Sequence, residues 1–168
     1  MQIEIRTYRS GDRDACRSLW AELVERHRLI YEDPTIGGDD PGREFDDHLL
    51  RAGHDRTWLA VVDGTVVGLT ALLVSGEEAE VEPVVVTAGM RSSGIGAILV
   101  ARARSEAVSL GVRFLNVSPV ARNVEAISFF VREGFDVVGH VNLFQDLGGE
   151  VPRSWRSGLA LHGEPPSY

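Results

Sequence analysis

The chain has 168 residues, of which 43% are hydrophobic, and its formal net charge is -8. This length suits one domain whose hydrophobic core needs no disulfide or metal for stability. The acidic balance disfavours a nucleic-acid partner, because affinity for a phosphate backbone comes from basic surface. The single cysteine, Cys16, excludes an internal disulfide and a multi-cysteine metal site.

Neither a membrane segment nor a metal site is expected. No stretch reaches the about eighteen consecutive apolar residues that cross a bilayer. The first residues alternate in polarity and lack the basic-then-apolar order of a secretory signal, so we expect a cytoplasmic protein. The histidines do not have the spacing of metal ligands.

Patterning in the first half of the chain predicts a strand, two helices and a β-hairpin. Asp40-Pro41 is typical of a helix N-cap followed by proline at the first helical position. Asp63-Gly64 is typical of a two-residue hairpin turn. The predicted elements are a strand at 3–8, a helix from Asp12 to near Arg28, a short helix after Asp40, and strands at 57–62 and 66–74.

The fourth predicted strand runs from Ala79 to Val86 and contains a proline where its polarity pattern slips. Glu80 and Glu82 share a face by parity with the valines that follow, so one face changes from acidic to apolar at Pro83. Because proline donates no hydrogen bond to a ladder, an interior proline at such a slip is best explained by a β-bulge. We therefore expect this strand to splay from its neighbour.

A strand, a glycine-bearing turn and a helix follow one another at 84–110. Val84-Val85-Val86 suits a buried strand, and from Ile95 onward the apolar residues have helical spacing. Between them, Arg91-Ser92-Ser93-Gly94-Ile95-Gly96 would present unpaired N–H groups at the positive end of a helix dipole. This arrangement predicts an anion site, and the alternative is a turn kept for tight packing. Both the dinucleotide fingerprint, which fails at Leu99, and the P-loop ending are absent.

The second half of the chain predicts shorter elements. Gly111 ends the long helix, and a later helix has Asn123 near its start and Gly134 just after its end. These elements are a strand at 114–117, a helix at 123–133, and strands at 137–141 and 143–146. We therefore expect one domain over 1–146, followed by a C-terminal tail at 147–168.

The order of these elements and two of their motifs resemble the GNAT superfamily of N-acetyltransferases, over residues 3 to 146. The segment Arg91 to Gly96 matches the family's phosphate-binding pattern Gln/Arg-x-x-Gly-x-Gly/Ala after a bulged strand. A later family pattern is matched by Asn123, Ala126, Ile127, Gly134 and Phe135. The resemblance implies an α/β GNAT fold, with a mixed, mostly antiparallel sheet of about seven strands, a bulged and splayed fourth strand, and about four flanking helices.

The resemblance also implies acetyl-CoA as the donor. Its pyrophosphate would lie on the backbone amides of Ser92 to Ala97, and Arg91 would add positive charge. Its pantetheine arm would run along Val84 to Val86 as an added strand does. Asn123 would reach the cofactor from its helix start and is a candidate for a catalytic role, and Phe130 would pack against the cofactor.

Acetyl transfer to an amine needs a neutral nucleophile and a polarised carbonyl group. Similar enzymes place a catalytic carboxylate beside the bulge, which makes Glu82 the candidate base, acting through water, with Glu80 as second choice. The alternative is that both are solvated glutamates. A backbone N–H of the following valines is the candidate for polarising the carbonyl. The family often has a tyrosine acid where this chain has Phe130, and Ser118 or Tyr31 could replace that donor.

The acceptor site is expected between the loop after the first helix and the final strand pair. Carboxylates there would attract an ammonium group. The alternative needs no substrate: Asp40 would cap the second helix, and the other carboxylates would simply be solvated. The candidates are Tyr31, Asp33, Asp39 and Asp40 in the loop, and His140 and Asn142 on the strands.

The sequence favours the first of three functions. The first is an N-acetyltransferase for a primary amine on a small molecule or a peptide, with a homodimer as an option. The second is a non-catalytic acyl-CoA-binding or sensing domain, which Phe130 favours. The third is a nucleotide-binding protein with no role for CoA.

Overall fold

The computed structural model of the chain describes residues 2–143 and 145, and the predicted tail at 147–168 lies outside them. The elements are β1 (Ile3–Thr7), α1 (Arg13–Tyr31), α2 (Glu44–Ala52), β2 (Thr57–Val62), β3 (Thr65–Ser75), β4 (Glu78–Val86), α3 (Ile95–Ser109), β5 (Phe114–Asn116) and α4 (Val124–Arg132). The strands form one mixed sheet in the order β1-β2-β3-β4-β5, in which only the β4–β5 pair is parallel. Within the described residues, no helix is both long and apolar enough to cross a membrane.

Helices cover both faces of the sheet. On one face α1 and α2 pack through an apolar cluster that includes Trp20 and Phe45. On the other face α3 packs through Leu99 and Ala103. Every residue of β2 is buried, which explains why its sequence is a nearly continuous apolar run rather than an alternating one.

The hairpin between β2 and β3 forms as predicted. Asp63 has φ 48° and Gly64 has φ 80°, so both central residues are left-handed, as a type I′ turn requires. This turn type matches the right-handed twist of the two strands it joins.

The predicted β-bulge in β4 is also confirmed. On β3 one residue, Ala71, separates the paired positions on either side of the irregularity, whereas on β4 two residues, Glu82 and Pro83, separate them. The extra residue changes the parity of the strand. Val81 and Val84 therefore pack in the same cluster on the α3 face, while Glu82 lies near α2 on the opposite face.

Beyond the bulge, β4 is no longer paired with β5. Parallel pairing joins 78–80 to 114–116 and does not continue to the valines at 84–86. In the part of the chain that the structure describes, no strand covers this edge of β4. This edge of β4 is therefore open after the bulge, and the splay itself stays a prediction.

The strand count is lower than expected, with five strands in the described residues rather than about seven. Residues 137–141 form no strand, and 143–146 lies partly outside the described residues. Val137 is 86% exposed and Val138 is 77% exposed. The β-branched residues alone were not enough to predict a strand here, because such residues favour strands through packing against neighbouring side chains.

Both bounds of the loop between α1 and α2 differ from prediction. α1 continues to Tyr31 rather than ending near Arg28, and α2 begins at Glu44 rather than just after Pro41. Asp40 is therefore not the cap of α2. Its carboxylate instead accepts a hydrogen bond from Arg17 of α1 at 2.5 Å.

Candidate active site

The connector from β4 to α3 is shaped by left-handed residues and local hydrogen bonds. Ser92 has φ 61° and Gly94 has φ 85°, and the Ser93 hydroxyl donates to the Met90 carbonyl at 2.5 Å. Gly94 is the N-cap residue of α3, and no side chain caps this helix. The first N–H groups of α3 therefore have no intrahelical or side-chain cap and face outward at the positive end of the helix.

Glu22 of α1 attaches this connector to the rest of the domain. Its carboxylate accepts hydrogen bonds from the Thr87 hydroxyl at 2.8 Å and from the Ala88 N–H at 3.1 Å. Nothing in the sequence signals this role, because Glu22 occupies an ordinary polar position on an amphipathic helix.

Gly96 has a packing role that the sequence did not reveal. A Cβ atom at this position would lie 3.3 Å from Cζ of Phe129 on α4, which is tighter than ordinary contact. The missing side chain lets α4 approach the first turn of α3 closely. The expected approach of Gly96 to a phosphate stays a prediction.

The open edge of β4 presents backbone polar groups next to this connector. The Thr87 N–H donates to the Val67 carbonyl on β3 at 2.9 Å. Because alternate residues of an antiparallel strand point to the same neighbour, the N–H groups of Val84 and Val86 point away from β3, into the gap beside β5. The Val86 carbonyl accepts a hydrogen bond from Arg91 Nε at 3.2 Å, so Arg91 is held at the same edge.

Two predicted residues of α4 lie where their sequence positions indicated. Asn123 caps α4, since its Oδ1 accepts a hydrogen bond from the Ala126 N–H at 3.2 Å. The Phe130 ring packs against Phe129 and Phe135, with centroid distances of 5.1 and 5.8 Å. Their roles toward a cofactor stay predictions.

Glu82 lies against α2 with two basic groups nearby. Its Oε2 is 4.0 Å from Nε2 of His48, and its Oε1 is 4.0 Å from Nη2 of Arg51. The Glu82 side chain is 40% exposed, so its carboxylate is partly desolvated but still reaches solvent. Burial and then the neighbouring Glu80 carboxylate raise the pKa of Glu82, and Arg51 opposes this shift.

His48 is a buried neighbour of Glu82 for which the sequence predicts no role. It is 2% exposed, and its ring centroid is 5.0 Å from that of Trp20. Burial lowers the pKa of His48 to about 4, with a further contribution from Arg51. The available signal was its position three residues after Phe45, on the apolar face of α2.

Two contacts join the end of α1 to the start of α4. The Arg122 guanidinium lies 5.0 Å from the centroid of the Tyr31 ring, and Arg26 pairs with Glu125 at 2.5 Å. Tyr31 is therefore a helical residue beside the start of α4 rather than a loop residue.

The other predicted acceptor residues are not brought together. Asp33 accepts hydrogen bonds from the N–H and hydroxyl of Thr35, and Asp40 pairs with Arg17. Asp39 and His140 are exposed, and His140 is on no strand. Their contact with a substrate stays a prediction. Among the described residues, no three His, Cys, Asp or Glu side chains are grouped to hold a metal ion.

Comparison with known proteins identifies the class to which this fold and site belong. The sequence pattern of the acetyltransferase (GNAT) family matches residues 17–135, and the chain belongs to this family. No curated protein sequence matches the chain.

Solved structures share the fold at low sequence identity. AAC(6')-Iy, in complex with the bisubstrate analog CoA-S-monomethyl-acetylneamine, has a TM-score of 0.64 and 17% identity, covering 87% of this chain and 99% of its own. The paia N-acetyltransferase from Thermoplasma acidophilum, in complex with coenzyme A, has a TM-score of 0.65 and 17% identity, covering 79% and 88%. The ribosomal-protein-S18-alanine N-acetyltransferase from Escherichia coli has a TM-score of 0.61 and 18% identity, covering 79% and 77%.

Proposed function

We propose that this chain is an N-acetyltransferase that moves an acetyl group from acetyl-CoA to a primary amine. The observation that carries the proposal is the open edge of β4 at Val84 and Val86, which lies between the uncapped start of α3 and the Glu82 carboxylate. One short stretch of chain thus offers an anion site, a row of backbone donors and a candidate base. Membership of the GNAT family supports this function.

The residues present fit acetyl-CoA. The N–H groups of Ser92 to Ala97 suit a pyrophosphate, because a helix N-terminus favours negative charge, and Arg91 adds a cation. The outward backbone groups of Val84 and Val86 suit the amides of a pantetheine arm, which would pair with them as an added strand. Two of the structural neighbours are complexes with CoA or a CoA-containing analog, which supports the same donor here.

When bound, acetyl-CoA would supply a thioester to the neutral amine nitrogen, and the new C–N bond would replace the C–S bond. The departing CoA thiolate would take up the second proton that the nitrogen loses as the amide forms. Glu82 takes the proton from the ammonium form of the acceptor, and its raised pKa makes its carboxylate a better proton acceptor. An outward N–H of Val84 or Val86 stabilises negative charge on the carbonyl oxygen. Phe130 donates no proton, which the reaction tolerates because a thiol with a pKa of about 8.5 is an adequate leaving group.

The acceptor is an amine on a small molecule or a peptide. The structural neighbours include an enzyme bound to an acetylneamine analog and another named for acetylating an alanine of a ribosomal protein. The proposal places the enzyme in the cytoplasm and requires neither a metal nor a nucleic acid.

The proposal is tested by incubating the protein with labelled acetyl-CoA and a panel of amines, and by measuring free CoA and the labelled products. Release of CoA together with a labelled amine is the expected result. The chain contains no lysine, so label retained on the protein does not come from acetylation of its own lysines. Tight binding of acetyl-CoA without turnover on any amine would instead support the non-catalytic sensing domain that Phe130 favours.

Glu82→Gln should lower kcat by about 100-fold, since general base catalysis typically contributes 10²–10⁴, and should leave the affinity for acetyl-CoA unchanged. The carboxylate is the active form, so activity is lost as pH falls through the pKa of Glu82, which lies above the ordinary glutamate value. Rate profiles against pH measure both effects. Glu78→Gln, at the exposed start of β4, is the matched control. An unaltered rate in the Glu82 variant would remove Glu82 from the mechanism.

A further inference from the structure

His48 is a buried titratable side chain that the proposed mechanism does not use. Its Nε2 is buried without a side-chain hydrogen bond among the described residues, and Glu82 is the residue beside the imidazole through both its backbone and its carboxylate. An unpaired buried polar atom lowers stability, and native structures contain few of them. A nitrogen retained at this cost on the apolar face of α2 indicates a role beyond packing.

Packing holds the imidazole against Trp20 of α1 at a centroid distance of 5.0 Å and an interplanar angle of 49°. In this position Nε2 lies 4.0 Å from Oε2 of Glu82, and the imidazole is also close to the backbone of the same residue. A hydrogen bond needs a separation of about 2.9 Å, so a side-chain movement of about 1 Å would join the two groups. Glu82 can make this movement because its side chain is partly exposed and belongs to the bulge.

The charged groups around this pair determine which partner carries the proton. Arg51, on the same helix as His48, is 60% exposed and lies beside the other oxygen of Glu82. On β4, Glu80 is the acidic residue nearest in sequence to Glu82. The residue of α1 that packs against His48 is Trp20, which carries no charge. The pKa of His48 is lowered to about 4 while that of Glu82 is raised. The imidazole is therefore neutral near pH 7.

We propose that His48 is a positioning residue for Glu82, whose neutral imidazole donates a hydrogen bond from Nε2–H to Oε2 and leaves Oε1 to take the proton of the acceptor ammonium. This inference rests on the proposed function. The proton passes from nitrogen to Oε1, which yields a neutral amine and a protonated Glu82, and His48 neither gains nor loses a proton. The bulge and the buried imidazole together hold the base beside the open edge of β4.

Two variants of His48 distinguish the effect of losing its hydrogen bond from the effect of changing the volume of its side chain. His48→Phe fills the site without a donor, and His48→Gln keeps an N–H donor. We expect His48→Phe to lower kcat about tenfold, to leave the KM for acetyl-CoA unchanged, and to move the acidic limb of the pH profile upward by about half a unit, because a lost donor disfavours the carboxylate. His48→Gln should recover part of the rate. His27→Gln, at a half-buried histidine of α1 whose pKa is also lowered by burial, should change nothing.

A measurement on the unsubstituted protein does not depend on turnover or on the folding of a variant. Nitrogen NMR of the imidazole should show Nε2 protonated and Nδ1 unprotonated near neutral pH. Carboxyl-carbon NMR, assigned with Glu82→Gln, should show a higher pKa for Glu82 in His48→Phe than in the original protein. The opposite tautomer, or an unchanged pKa of Glu82, would overturn the inference.

The two proposals fail in different ways. If no amine is acetylated by the original protein, the proposed function fails, while the NMR measurements still decide whether His48 donates to Glu82. If the original protein is active and His48→Phe keeps both its kcat and its pH profile, the role of His48 fails and the proposed function stands.

Discussion

Gly94 and Gly96 belong to one sequence motif, yet the fold needs them for different reasons. Gly94 has φ 85°, and a Cβ atom there would meet nothing within 4 Å. Its requirement is conformational, because a left-handed backbone is costly for residues with a side chain. Gly96 has no such φ, and its requirement is the close approach of Phe129. A sequence motif therefore shows that glycine is needed, but not whether the need is for its backbone freedom or for its small size.

Gly94→Ala should lower the free energy of unfolding by about 1 kcal/mol, the usual cost of a left-handed residue with a side chain. It should also weaken acetyl-CoA binding several-fold, because the first N–H groups of α3 would shift. Chemical denaturation and calorimetry measure the two effects. Gly89→Ala is the control, since this nearby glycine has open space around it and no positive φ. Equal stability and affinity in both variants would contradict the conformational role of Gly94.

At the scale of elements, β4 has two halves that serve different surfaces. Before the bulge the strand pairs with β5, and after it the same edge is open. The change of parity turns Glu82 toward α2 while Val84 packs with α3. A regular strand would place these two side chains on the same face of the sheet. The bulge thus lets one strand present a carboxylate to the α2 face and backbone groups to the gap.

Glu22→Ala should loosen the connector that precedes α3, because its carboxylate bonds both Thr87 and Ala88. We expect a loss of about 1 kcal/mol in the free energy of unfolding and a several-fold weaker affinity for acetyl-CoA. Glu22→Gln should lose less, since an amide oxygen still accepts a hydrogen bond. Glu25→Ala, which removes only an exposed pair with Arg28, is the control. Acetyl-CoA affinity that is the same in the Glu22→Ala and Glu25→Ala variants would argue against the connection.

At the scale of the whole molecule, the net charge of -8 acts on the two proposed substrates with opposite sign. An acidic protein attracts a cationic amine and repels an anionic donor, so the donor depends on local groups such as Arg91 and the start of α3. Both long-range effects are screened at an ionic strength of about 0.15 M, where the Debye length is about 8 Å.

Raising the salt concentration from about 0.02 to 0.2 M should therefore lower kcat/KM for a cationic amine a few-fold. A zwitterionic amine of similar size should respond less, because its net charge is zero. Steady-state kinetics at saturating acetyl-CoA measure the difference. If both amines showed the same dependence on salt, long-range attraction would not contribute to acceptor capture.

Local signals in the sequence determined the features that depend on neighbouring residues. These are the hairpin at Asp63-Gly64, the bulge at Pro83, the glycine-bearing start of α3 and the cap at Asn123. Each depends on the backbone conformation or hydrogen bonds of residues within a few positions, which residue type controls directly. For this reason the bulge and the start of α3, where the donor is proposed to bind, could be located from the sequence.

Only the tertiary structure decided the contacts between distant segments. The approach of His48 to Glu82, the bonds from Glu22 to the connector, and the pair Arg26–Glu125, 99 positions apart, depend on which helix covers which face of the sheet. The predicted strand at 137–141 was wrong for the same reason. β-Branched residues form a strand only where the edge of a sheet and a packing partner are available. Residue type limits such contacts, but the register and layering of the fold select among them.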